Sequence, residues 1–484
     1  MRKFDNKVQE MKYEVLKEIS KAAFAGNLEK EIANIPKIID PGPEPRIRCC
    51  IHKDRVVTLE RIKVALGGNE NNSNNIEVID EACDECFATR YVVTEACRGC
   101  LAHRCISACP VGAIDFVHHR AKIDGQKCIE CGKCRDVCPY NAIIDVMRPC
   151  KKACKVDAIS INEDKKAVID DEKCIQCGAC VYQCPFGAIM DKSYITDVID
   201  LLKNADENNK IYAIIAPAIS SQFTYASIGQ VINGIKKLGF HDVVEVALGA
   251  DMVAVKETEE YAENIESKKT ITSSCCPSFV QYILKEYPQL KGHISTMVSP
   301  MIAVSRLIKN LDPKGKVVFI GPCTAKKMEI EQEDLKGATD FVLTFEELAA
   351  MIDSKEIELQ NLEEGLLDNA SFYGRIFARS GGLTEAVRNV IKQEKLDVPY
   401  NPVSCDGIDE CDKVLKKLKF NRCDNTFVEG MACKGGCIGG AASLSHGPKD
   451  KSQVDKYGKL ALEPDTKSSL RVFDIEAIDF HRKF

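Results

Sequence analysis

Hydrophobic residues follow a helical spacing at the start of the chain. Within residues 1–40, apolar side chains recur every three or four positions, at Val8, Met11, Val15 and Ile19. This is the period of an amphipathic helix, and it more often marks a packing face than a partner site. Residues 1–40 are therefore predicted to form one or two amphipathic helices, closed by Pro41-Gly42-Pro43.

The pattern changes to short continuous apolar runs from residue 210 onward. Such runs predict buried strands, and they lie at 210–217, 241–248, 317–320 and 341–343. Helical spacing fills the segments between them, up to Leu238 and from Met252 to Ser267. Strands that alternate with helices indicate an α/β domain with largely parallel sheets flanked by helices, whose ligands bind beyond the carboxyl ends of the strands.

Composition changes the picture through cysteine. The 484 residues include 26 Cys and no Trp. The first twenty residues are charged throughout and lack the apolar core of a signal peptide, so a cytoplasmic protein is expected. In that compartment cysteines usually serve metals or redox chemistry. A net charge of −6 argues against nucleic-acid binding, and no apolar run has the ~20 residues of a membrane span.

Two segments carry the spacing C-x2-C-x2-C-x3-C-P. They are Cys128, Cys131, Cys134 and Cys138 before Pro139, and Cys174, Cys177, Cys180 and Cys184 before Pro185. Three thiolates at this spacing can hold one face of a [4Fe–4S] cluster, and the fourth ligates the neighbouring cluster in two-cluster ferredoxins. A pair of zinc knuckles is the alternative, but zinc ribbons separate their two C-x2-C pairs by a long loop.

Looser versions of the same motif surround these two segments. A third segment has Cys97, Cys100, Cys105 and Cys109; a fourth keeps only Cys150 and Cys154, which the upstream pair Cys83 and Cys86 could complete. The sixteen cysteines from Cys83 to Cys184 indicate about four [4Fe–4S] clusters. This region resembles bacterial ferredoxins and the multi-cluster ferredoxin subunits of larger oxidoreductases, and the spacing leaves the pairing of the fourth ligands open.

Composition divides the chain into four parts. We expect a helical and connecting region at 1–80, an α+β ferredoxin-like multi-[4Fe–4S] domain at 81–192, an α/β catalytic domain at 193–445 and a C-terminal tail at 446–484. Within the first part, residues 41–80 are predicted to connect the domains and to include a mobile Asn-rich stretch at 67–75. The vicinal Cys49 and Cys50 are interpreted as two buried thiols.

Three further stretches offer thiols from separate loops. They are TSSCCPSF at 272–279, GPCTAKKME at 321–329 and EGMACKGGCIGG at 429–440. Cys276 precedes Pro277 and an apolar-periodic run, so it is predicted at a helix N-terminus, where the helix dipole favours an anionic sulfur. The glycines beside Cys433 and Cys437 allow the backbone to approach a bulky inorganic group.

These three stretches resemble the signature loops of [FeFe]-hydrogenases, in the same order and over residues 85–445. The resemblance implies that Cys276, Cys323, Cys433 and Cys437 hold the [4Fe–4S] part of an H-cluster, with one of the last two bridging to a di-iron subsite. That subsite carries CO, cyanide and a bridging azadithiolate, and dedicated maturation enzymes make it. Cys275 is then the thiol that passes protons to the bridging amine.

The resemblance also assigns a proton path and a pocket. Glu257 and Glu260 match the two acids of the path, and their i, i+3 spacing places them on one helix face; a solvated acidic face is the alternative, because Glu259 and Glu263 are near. Ser295 matches the hydroxyl between them, and Lys326 matches the lysine that donates to a cyanide. The di-iron pocket is expected to be lined by Pro217, Ala218, Ser299 and Met431.

Several positions depart from the usual family pattern. Gly321 stands where Met is common, Ala218 where Ser is common and Met301 where Gln is common, and the last loop ends Gly-Gly-Ala-Ala. Every expected metal ligand remains. We therefore interpret the chain as a divergent subgroup. Cys405, Cys411 and Cys423 match no role and are expected to be core or free thiols.

The sequence thus predicts a cytoplasmic, anaerobic [FeFe]-hydrogenase. It would interconvert H2 with two protons and two electrons, exchanging the electrons with ferredoxin or a similar carrier through the N-terminal clusters. Two alternatives stay open: an H2 sensor with low turnover, and an iron–sulfur electron-transfer or cluster-carrier protein of the same fold without a di-iron site.

Overall fold

The computed structural model describes residues 4–69, 72–87, 89–367 and 369–484. Helices α1 to α4 precede the cysteine-rich region: Lys7–Ala25, Leu28–Glu31, Ile35–Ile39 and Ile51–Ala65. The amphipathic pattern at the N-terminus is thus confirmed, although it is divided among three helices. Helix α4 falls in the predicted connecting region, and the sequence missed it because its buried face includes the polar Asp54, Thr58 and Arg61.

Hydrogen bonds join the described part of the Asn-rich stretch to the cysteine-rich region. Lys192 Nζ donates to the carbonyls of Asn69 and Asn72 at 2.9 and 2.5 Å. The buried Asn74 donates from Nδ2 to Asp171 at 2.8 Å. Positions 70 and 71 lie outside the described residues. Cys49 and Cys50 are exposed, so the prediction that they are buried is wrong.

The cysteine-rich region consists of short helices and antiparallel strand pairs. In chain order its elements are β1 Ile76–Val78, β2 Tyr91–Val93, α5 Arg104–Ser107, β3 Ile114–Val117, β4 Arg120–Ile123, α6 Lys133–Asp136, β5 Ile143–Asp145, α7 Pro149–Ala153, β6 Ile159–Ile161, β7 Ala167–Ile169, α8 Ala179–Gln183 and β8 Ile189–Asp191. The pairs are β1–β8, β2–β5, β3–β4 and β6–β7. This is the predicted α+β arrangement.

Strands and longer helices alternate after this region. They are α9 Ile195–Lys203, β9 Ile211–Ile215, α10 Ile228–Lys237, β10 Asp242–Glu245, α11 Val246–Lys268, β11 Ile271–Thr272, α12 Pro277–Glu286, α13 Pro300–Leu311, β12 Lys316–Gly321, α14 Ala325–Glu329, β13 Phe341–Thr344, α15 Phe345–Ser354, α16 Phe372–Ile376, α17 Gly382–Glu394, β14 Pro402–Asp406, α18 Ile408–Lys419, β15 Phe427–Met431, α19 Asp450–Gly458 and α20 Thr466–Leu470. Two parallel sheets result, ordered β10-β9-β12-β13 and β11-β15-β14.

One predicted boundary is wrong. The strand expected at 241–248 ends at Glu245, and α11 begins at the next residue. The first three residues of this helix, Val246, Ala247 and Leu248, are apolar and buried, so they continue the apolar run of β10 and read equally well as a buried strand. Gly249 is required here, because a Cβ would lie 2.1 Å from the carbonyl oxygen of Pro300 in α13.

The C-terminal residues pack on the α/β domain. Tyr457 Oη donates to the buried carboxylate of Glu245 at 2.6 Å, and Ser469 Oγ donates to Asp251 at 2.8 Å. Arg482 N donates to the carbonyl of Thr296 at 2.8 Å. Among the described residues, no helix has the length and apolarity needed to cross a membrane.

A buried ionic network joins the N-terminal helix to the rest of the molecule. Lys12 of α1 pairs with Asp191 at 2.6 Å and with Glu346, and Lys327 pairs with Asp191 and Glu347 at 2.9 Å each. Burial alone would raise the pKa of Asp191, but the two ammonium groups hold it below its ordinary value. The network therefore ties α1, β8, α14 and α15 together.

Removing Lys327 tests this network. Lys327→Met leaves buried carboxylates without one of their cations, which typically costs about 3–5 kcal/mol. We expect the urea midpoint of the variant to fall accordingly. The exposed Lys314→Met is the control and should change stability by less than about 0.5 kcal/mol. Equal midpoints for the two variants would contradict the account.

Candidate metal-cluster site

A cavity of about 90 Å³ lies at the carboxyl ends of the two parallel sheets. Pro217 follows β9, Cys275 and Cys276 follow β11, and Cys323 follows β12; all four line the cavity. Met431, the last residue of β15, and Cys437 complete this side. The lining is almost entirely apolar apart from sulfur and one lysine. Four chain segments that are distant in sequence thus meet where parallel sheets place their ligands.

Three of the four predicted sulfur ligands, Cys276, Cys323 and Cys437, line this cavity, and Cys433 is their neighbour. Burial and then the neighbouring sulfurs raise the pKa of the Cys323 thiol to about 11 and that of Cys437 to about 12. The pKa of the Cys433 thiol is raised further, by burial and then by Cys323, Cys276, Cys177 and Cys437. Cys437 has an exposed side chain, but its accessible face is turned to the cavity and its thiol lies deep in the protein.

The backbone around these cysteines is shaped for close approach. Cys276 is the N-cap of α12, as the sequence predicted, and Pro277 occupies the first helical position. Gly436 has φ +84°, and a Cβ there would lie 2.5 Å from the amide nitrogen of Ser380. Gly321 leaves room for Phe319, whose ring would be 2.4 Å from an added Cβ and itself lines the cavity. The ring of Phe319 therefore fills the space that a Met side chain at position 321 would occupy.

Lys326 brings a charge into this apolar lining. Its Nζ donates to Glu329 Oε2 at 2.5 Å and to the carbonyl of Cys275 at 3.4 Å. Burial opposes its charge, but Glu329 and the sulfurs of Cys323 and Cys437 outweigh burial and raise its pKa. A lysine at this position stays cationic and faces the place where an anionic ligand would lie.

A line of proton-bearing groups runs from the cavity toward the surface. Cys275 lines the cavity and lies beside Glu257, whose charge, after burial, raises the pKa of the Cys275 thiol well above its ordinary value. Both carboxylate oxygens of Glu257 are buried without a hydrogen-bond partner. Burial, and next the charge of Glu260, raise the pKa of Glu257 to about 8, and Ser295 opposes that shift. Glu257 is therefore protonated at neutral pH.

The line continues through Ser295 to Glu260. Ser295 Oγ donates to Glu260 Oε2 at 2.6 Å, and Thr296 donates to Glu260 Oε1 from its backbone N at 2.9 Å and its Oγ1 at 3.0 Å. Glu260 also lines an open surface cleft between α11 and the C-terminal residues. The predicted order Glu260, Ser295, Glu257, Cys275 is thus a spatial sequence from solvent to the cavity.

Three residues at this site were missed by the sequence reasoning. Glu429 is fully buried, accepts hydrogen bonds from Gly381 and Thr384, and adds negative charge near Cys275. Thr296 and His481 lie at the surface end, with 3.0 Å between Thr296 Oγ1 and His481 Nδ1. Glu429 opens the last motif and Thr296 adjoins Ser295, so both had a local signal. His481 had none, because 185 residues separate it from Thr296.

Two of the four residues predicted to line the di-iron pocket line the cavity, and two lie behind it. Pro217 and Met431 line the cavity, and so does Met301. Ala218 and Ser299 are buried next to lining residues, and Ser299 Oγ has no hydrogen-bond partner. Cys405 and Cys411 lie in the core beside β15, and Cys423 is half-buried. None of these three thiols lines the cavity.

The accessory cysteines form groups that cross between motifs. Burial and then Cys177, Cys174, Cys154 and Cys150 raise the pKa of the Cys180 thiol. Burial and then Cys184, together with Cys83 and Cys86, raise the pKa of Cys150 to about 11. One group is therefore Cys154, Cys174, Cys177 and Cys180, and the next is Cys83, Cys86, Cys150 and Cys184. Cys177 also neighbours Cys276 and Cys433 of the cavity site.

Residues 89–147, the outer lobe, show the same exchange of cysteines between motifs. Cys109 lines a small cavity with Cys128, Cys131 and Cys134. Burial raises the pKa of Cys105, whose sulfur neighbours are Cys100 and Cys138, and Cys97 is three residues from Cys100. The cysteine that ends each motif accepts a hydrogen bond from the alanine N–H four residues later: Cys109, Cys138, Cys154 and Cys184, at 3.2–3.3 Å. The described residues include no group of three or more His, Cys, Asp or Glu arranged to hold a single metal ion.

The chain also matches known proteins. Residues 209–441 match the family model "Iron only hydrogenase large subunit, C-terminal domain". Residues 96–142 match a 4Fe-4S dicluster domain, and residues 167–190 match a 4Fe-4S binding domain. Iron hydrogenase 1 of Clostridium pasteurianum is 31% identical over 401 residues, which cover 72% of this chain and 69% of that protein. The chain belongs to the iron-only hydrogenase family.

Other relatives of this hydrogenase-family chain differ in what their names state. The periplasmic [Fe] hydrogenase large subunit of Nitratidesulfovibrio vulgaris is 29% identical, covering 66% of this chain and 86% of that protein. Cytosolic iron-sulfur assembly component 3 of Bos taurus is 26% identical, covering 47% and 60%. A solved [FeFe]-hydrogenase, HydA(deltaEFG), superposes with a TM-score of 0.50 at 19% identity, covering 60% of this chain and 98% of that one, and this likeness shows the fold.

The residues of this hydrogenase-family chain fit an H-cluster. Burial and the neighbouring sulfurs raise the pKa of three of the four thiols, those of Cys323, Cys433 and Cys437, so these thiols are not all anionic without nearby positive charge. An iron–sulfur cluster supplies that charge, because its ligands are thiolates. The cavity beside them is apolar, and the cationic Lys326 is positioned for an anionic ligand.

The raised pKa of Glu257 makes a prediction that needs no assembled cluster. A protonated carboxyl shows a carbonyl stretch, so the wild-type-minus-Glu257→Gln infrared difference should contain this band at pH 7 and lose it as the pH rises through about 8. The exposed Glu259→Gln, two residues away on the same helix, should leave the band unchanged.

The same shift predicts how stability depends on pH. A carboxyl whose folded pKa is raised penalises folding as the pH rises from its ordinary value of 4.5 to about 8. Glu257→Gln should therefore gain stability relative to wild type across this window and keep a constant advantage above it. A difference that is the same at pH 5 and pH 9 would show that Glu257 is not held neutral.

Proposed function

We propose that this protein interconverts H2 with two protons and two electrons. The observation that carries the proposal is the placement of Cys275, which lines the apolar cavity beside the four converging thiols and begins a line of acids that reaches the surface. A protein that only transfers electrons has no use for such a line. Protons and electrons need separate routes, because iron–sulfur clusters move electrons alone.

The cofactor in this proposal is an H-cluster. Cys276, Cys323, Cys433 and Cys437 would hold its [4Fe–4S] part, and Pro217, Ala218, Ser299 and Met431 would surround the di-iron subsite with its CO, cyanide and azadithiolate. Bound there, the group supplies the open iron position and the basic amine at which H2 is split or formed. Lys326 would hold the subsite by donating a hydrogen bond to a cyanide, a role that suits a compact buried ammonium.

Protons would reach the cavity by successive transfer between the described groups. Glu260 takes a proton at the surface cleft and passes it through the Ser295 hydroxyl. The neutral Glu257 carboxyl then donates toward Cys275, and the Cys275 thiol delivers the proton into the cavity. Because Glu257 is protonated at pH 7, it can donate without a preceding uphill protonation.

Electrons would follow the cysteine groups. The group of Cys154, Cys174, Cys177 and Cys180 is next to the cavity, since Cys177 neighbours Cys433. The group of Cys83, Cys86, Cys150 and Cys184 follows it through Cys150. The two groups of the outer lobe would complete four [4Fe–4S] clusters and receive electrons from ferredoxin or a similar carrier.

The remaining parts of the proposal concern context. We propose a cytoplasmic, anaerobic setting, in which thiolate ligands stay reduced, and maturation enzymes that build the di-iron subsite. We also propose the domain division at residues 80, 192 and 445. In this division, residues 1–80 support the catalytic domain through the ionic network of Lys12, and residues 446–484 support it by packing on it.

Two other functions share much of this site. An iron–sulfur carrier would need the accessory groups but neither the Cys275 relay nor the buried Lys326. An H2 sensor would keep the whole site and differ in turnover. The relay and Lys326 favour hydrogen chemistry, and the rate of H2 turnover separates the enzyme from the sensor.

Cys275→Ala tests the proposed relay. The variant should assemble the same iron content, because Cys275 is not among the converging ligands, but it should lose at least about 100-fold in H2 evolution from a reduced electron carrier. The measurement is gas-chromatographic H2 assay of matured protein. Cys411→Ala, which removes another buried thiol of the same domain, should retain wild-type turnover per assembled site.

Glu260→Gln tests the surface end of the line. The change keeps the shape of the side chain and its acceptance of a hydrogen bond from Ser295 but removes the exchangeable acid, so turnover should fall by one to two orders of magnitude. Glu263→Gln, which lines the same cleft without contacting Ser295, is the control. Similar rates in both variants would place the proton path elsewhere.

A further inference from the structure

The group of Cys83, Cys86, Cys150 and Cys184 is surrounded by buried arginines. Arg148 Nη1 is 3.8 Å from Cys83 Sγ, and the charge of Arg148 acts on Cys86 as well. Arg61 is 2% exposed and lies near Cys184. Arg48 is 7% exposed and adjoins Arg61, since each guanidinium donates to the carbonyl of Phe186.

Two of these guanidinium groups have unsatisfied nitrogens. Arg61 Nη1 is buried without a hydrogen-bond partner, and Arg48 Nη1 also makes no hydrogen bond but lies 3.6 Å from the carboxylates of Asp84 and Glu85. Leaving a buried charged donor unpaired is costly. The sulfur atoms of a cluster accept hydrogen bonds, so a cluster bound by this group would be an acceptor of the kind these nitrogens lack.

Burial makes the electrostatic effect strong at Arg61. Burial and the charge of Arg48 lower the pKa of Arg61 to about 10, while Cys184, Asp40 and Asp54 oppose that shift. Arg61 therefore remains cationic at neutral pH.

The acids around these arginines offset part of their charge, since Asp84 and Glu85 pair with Arg48 and Glu85 also acts on Cys86. The other two acids accept hydrogen bonds from other donors. Asp54 accepts from the backbone N–H groups of Arg46, Ile47 and Arg48, and Asp40 accepts from Thr58. Asp84 and Glu85 are partly exposed, lie 3.6 Å from Arg48 Nη1, and Asp84 also pairs with Lys53.

The neighbouring group has fewer cations beside it. Burial and then other sulfurs raise the pKa of Cys177 to about 12. Lys285 acts at Cys174, and its Nζ donates to the carbonyl of Cys174 at 2.8 Å. Two adjacent clusters would thus experience different environments, one beside three arginines and the other beside one lysine.

We propose that the cluster held by Cys83, Cys86, Cys150 and Cys184 has the highest reduction potential of the accessory clusters. Reduction adds one negative charge, which nearby buried guanidinium groups stabilise, and net charge and hydrogen bonds to sulfur set the potential of such clusters. This cluster therefore stores the electron one step away from the group beside the cavity. The inference rests on the cysteine grouping of the proposed function but not on the di-iron subsite.

The position in the chain suits a store of this kind. The outer lobe begins directly after Cys86 and ends just before Arg148 and Cys150. Arg48 and Arg61 come from the N-terminal region: Arg48 precedes α4, and Arg61 lies in the C-terminal half of this helix. The first part of the chain thus tunes one cluster, in addition to packing on the catalytic domain.

Redox titration followed by electron paramagnetic resonance tests the proposal. The full-length chain, produced without maturation enzymes and loaded with iron and sulfide, should show one cluster reduced before the others. In Arg148→Gln and Arg61→Gln, that first step should shift to lower potential by at least a tenfold change in the reduced-to-oxidised ratio, about 59 mV for one electron. The later steps should shift less.

Charge-conserving variants separate electrostatics from structure. Arg148→Lys and Arg61→Lys should keep the first step within a threefold change of that ratio, and Cys150→Ser should alter the first step specifically. If Arg61→Gln does not load with iron, the comparison of Arg148→Gln with Arg148→Lys tests the proposal. An unchanged first step in Arg148→Gln, an equal shift of all steps, or an intact first step in Cys150→Ser would overturn the proposal. None of these readouts depends on H2 turnover, so the proposed function is tested separately.

Discussion

The structure depends on the convergence of buried sulfur atoms at the carboxyl ends of two parallel sheets. Cys276, Cys323, Cys433 and Cys437 come from three loops, and burial together with the neighbouring sulfurs disfavours the ionised forms of Cys323, Cys433 and Cys437. Only a group that brings positive charge allows all four to be thiolates. The cofactor and the fold therefore support each other, because the cluster joins loops that end strands of both sheets.

Charge is controlled differently along the two proposed routes. At Glu257, burial raises the pKa to about 8, so the carboxyl holds a proton that it could pass on. At the accessory cysteines, buried arginines lie beside one group, while the neighbouring group has one lysine beside Cys174. In the structural network of Asp191, by contrast, two lysines keep a buried carboxylate ionised. The same desolvation thus has different outcomes, which the neighbouring cations decide.

Much of this arrangement could be predicted from the sequence, for physical reasons that concern local spacing. The iron–sulfur motifs are short, so the motif ends and the ferredoxin-like region were recognisable, and Cys276 before Pro277 marked a helix start. Resemblance supplied the proposed roles of Glu257, Glu260 and Lys326; Glu260 contacts Ser295, and Lys326 lines the cavity.

The remainder depended on tertiary contacts. The crossing of Cys150 and Cys184 into one group, the approach of Arg48 and Arg61 to it, and the contact of His481 with Thr296 each join distant parts of the chain. The strand predicted at 241–248 was too long because the first three residues of α11 are apolar and buried and continue the apolar run of β10.

Infrared spectroscopy of the matured protein tests the central claim most directly. CO and cyanide ligands vibrate in a region that is free of protein bands, so a di-iron subsite held beside the four sulfurs should give sharp bands there. These bands should disappear when Cys437 is replaced by serine. A fully loaded sample that shows cubane signals but no diatomic-ligand bands would contradict the account and leave a protein that only carries electrons.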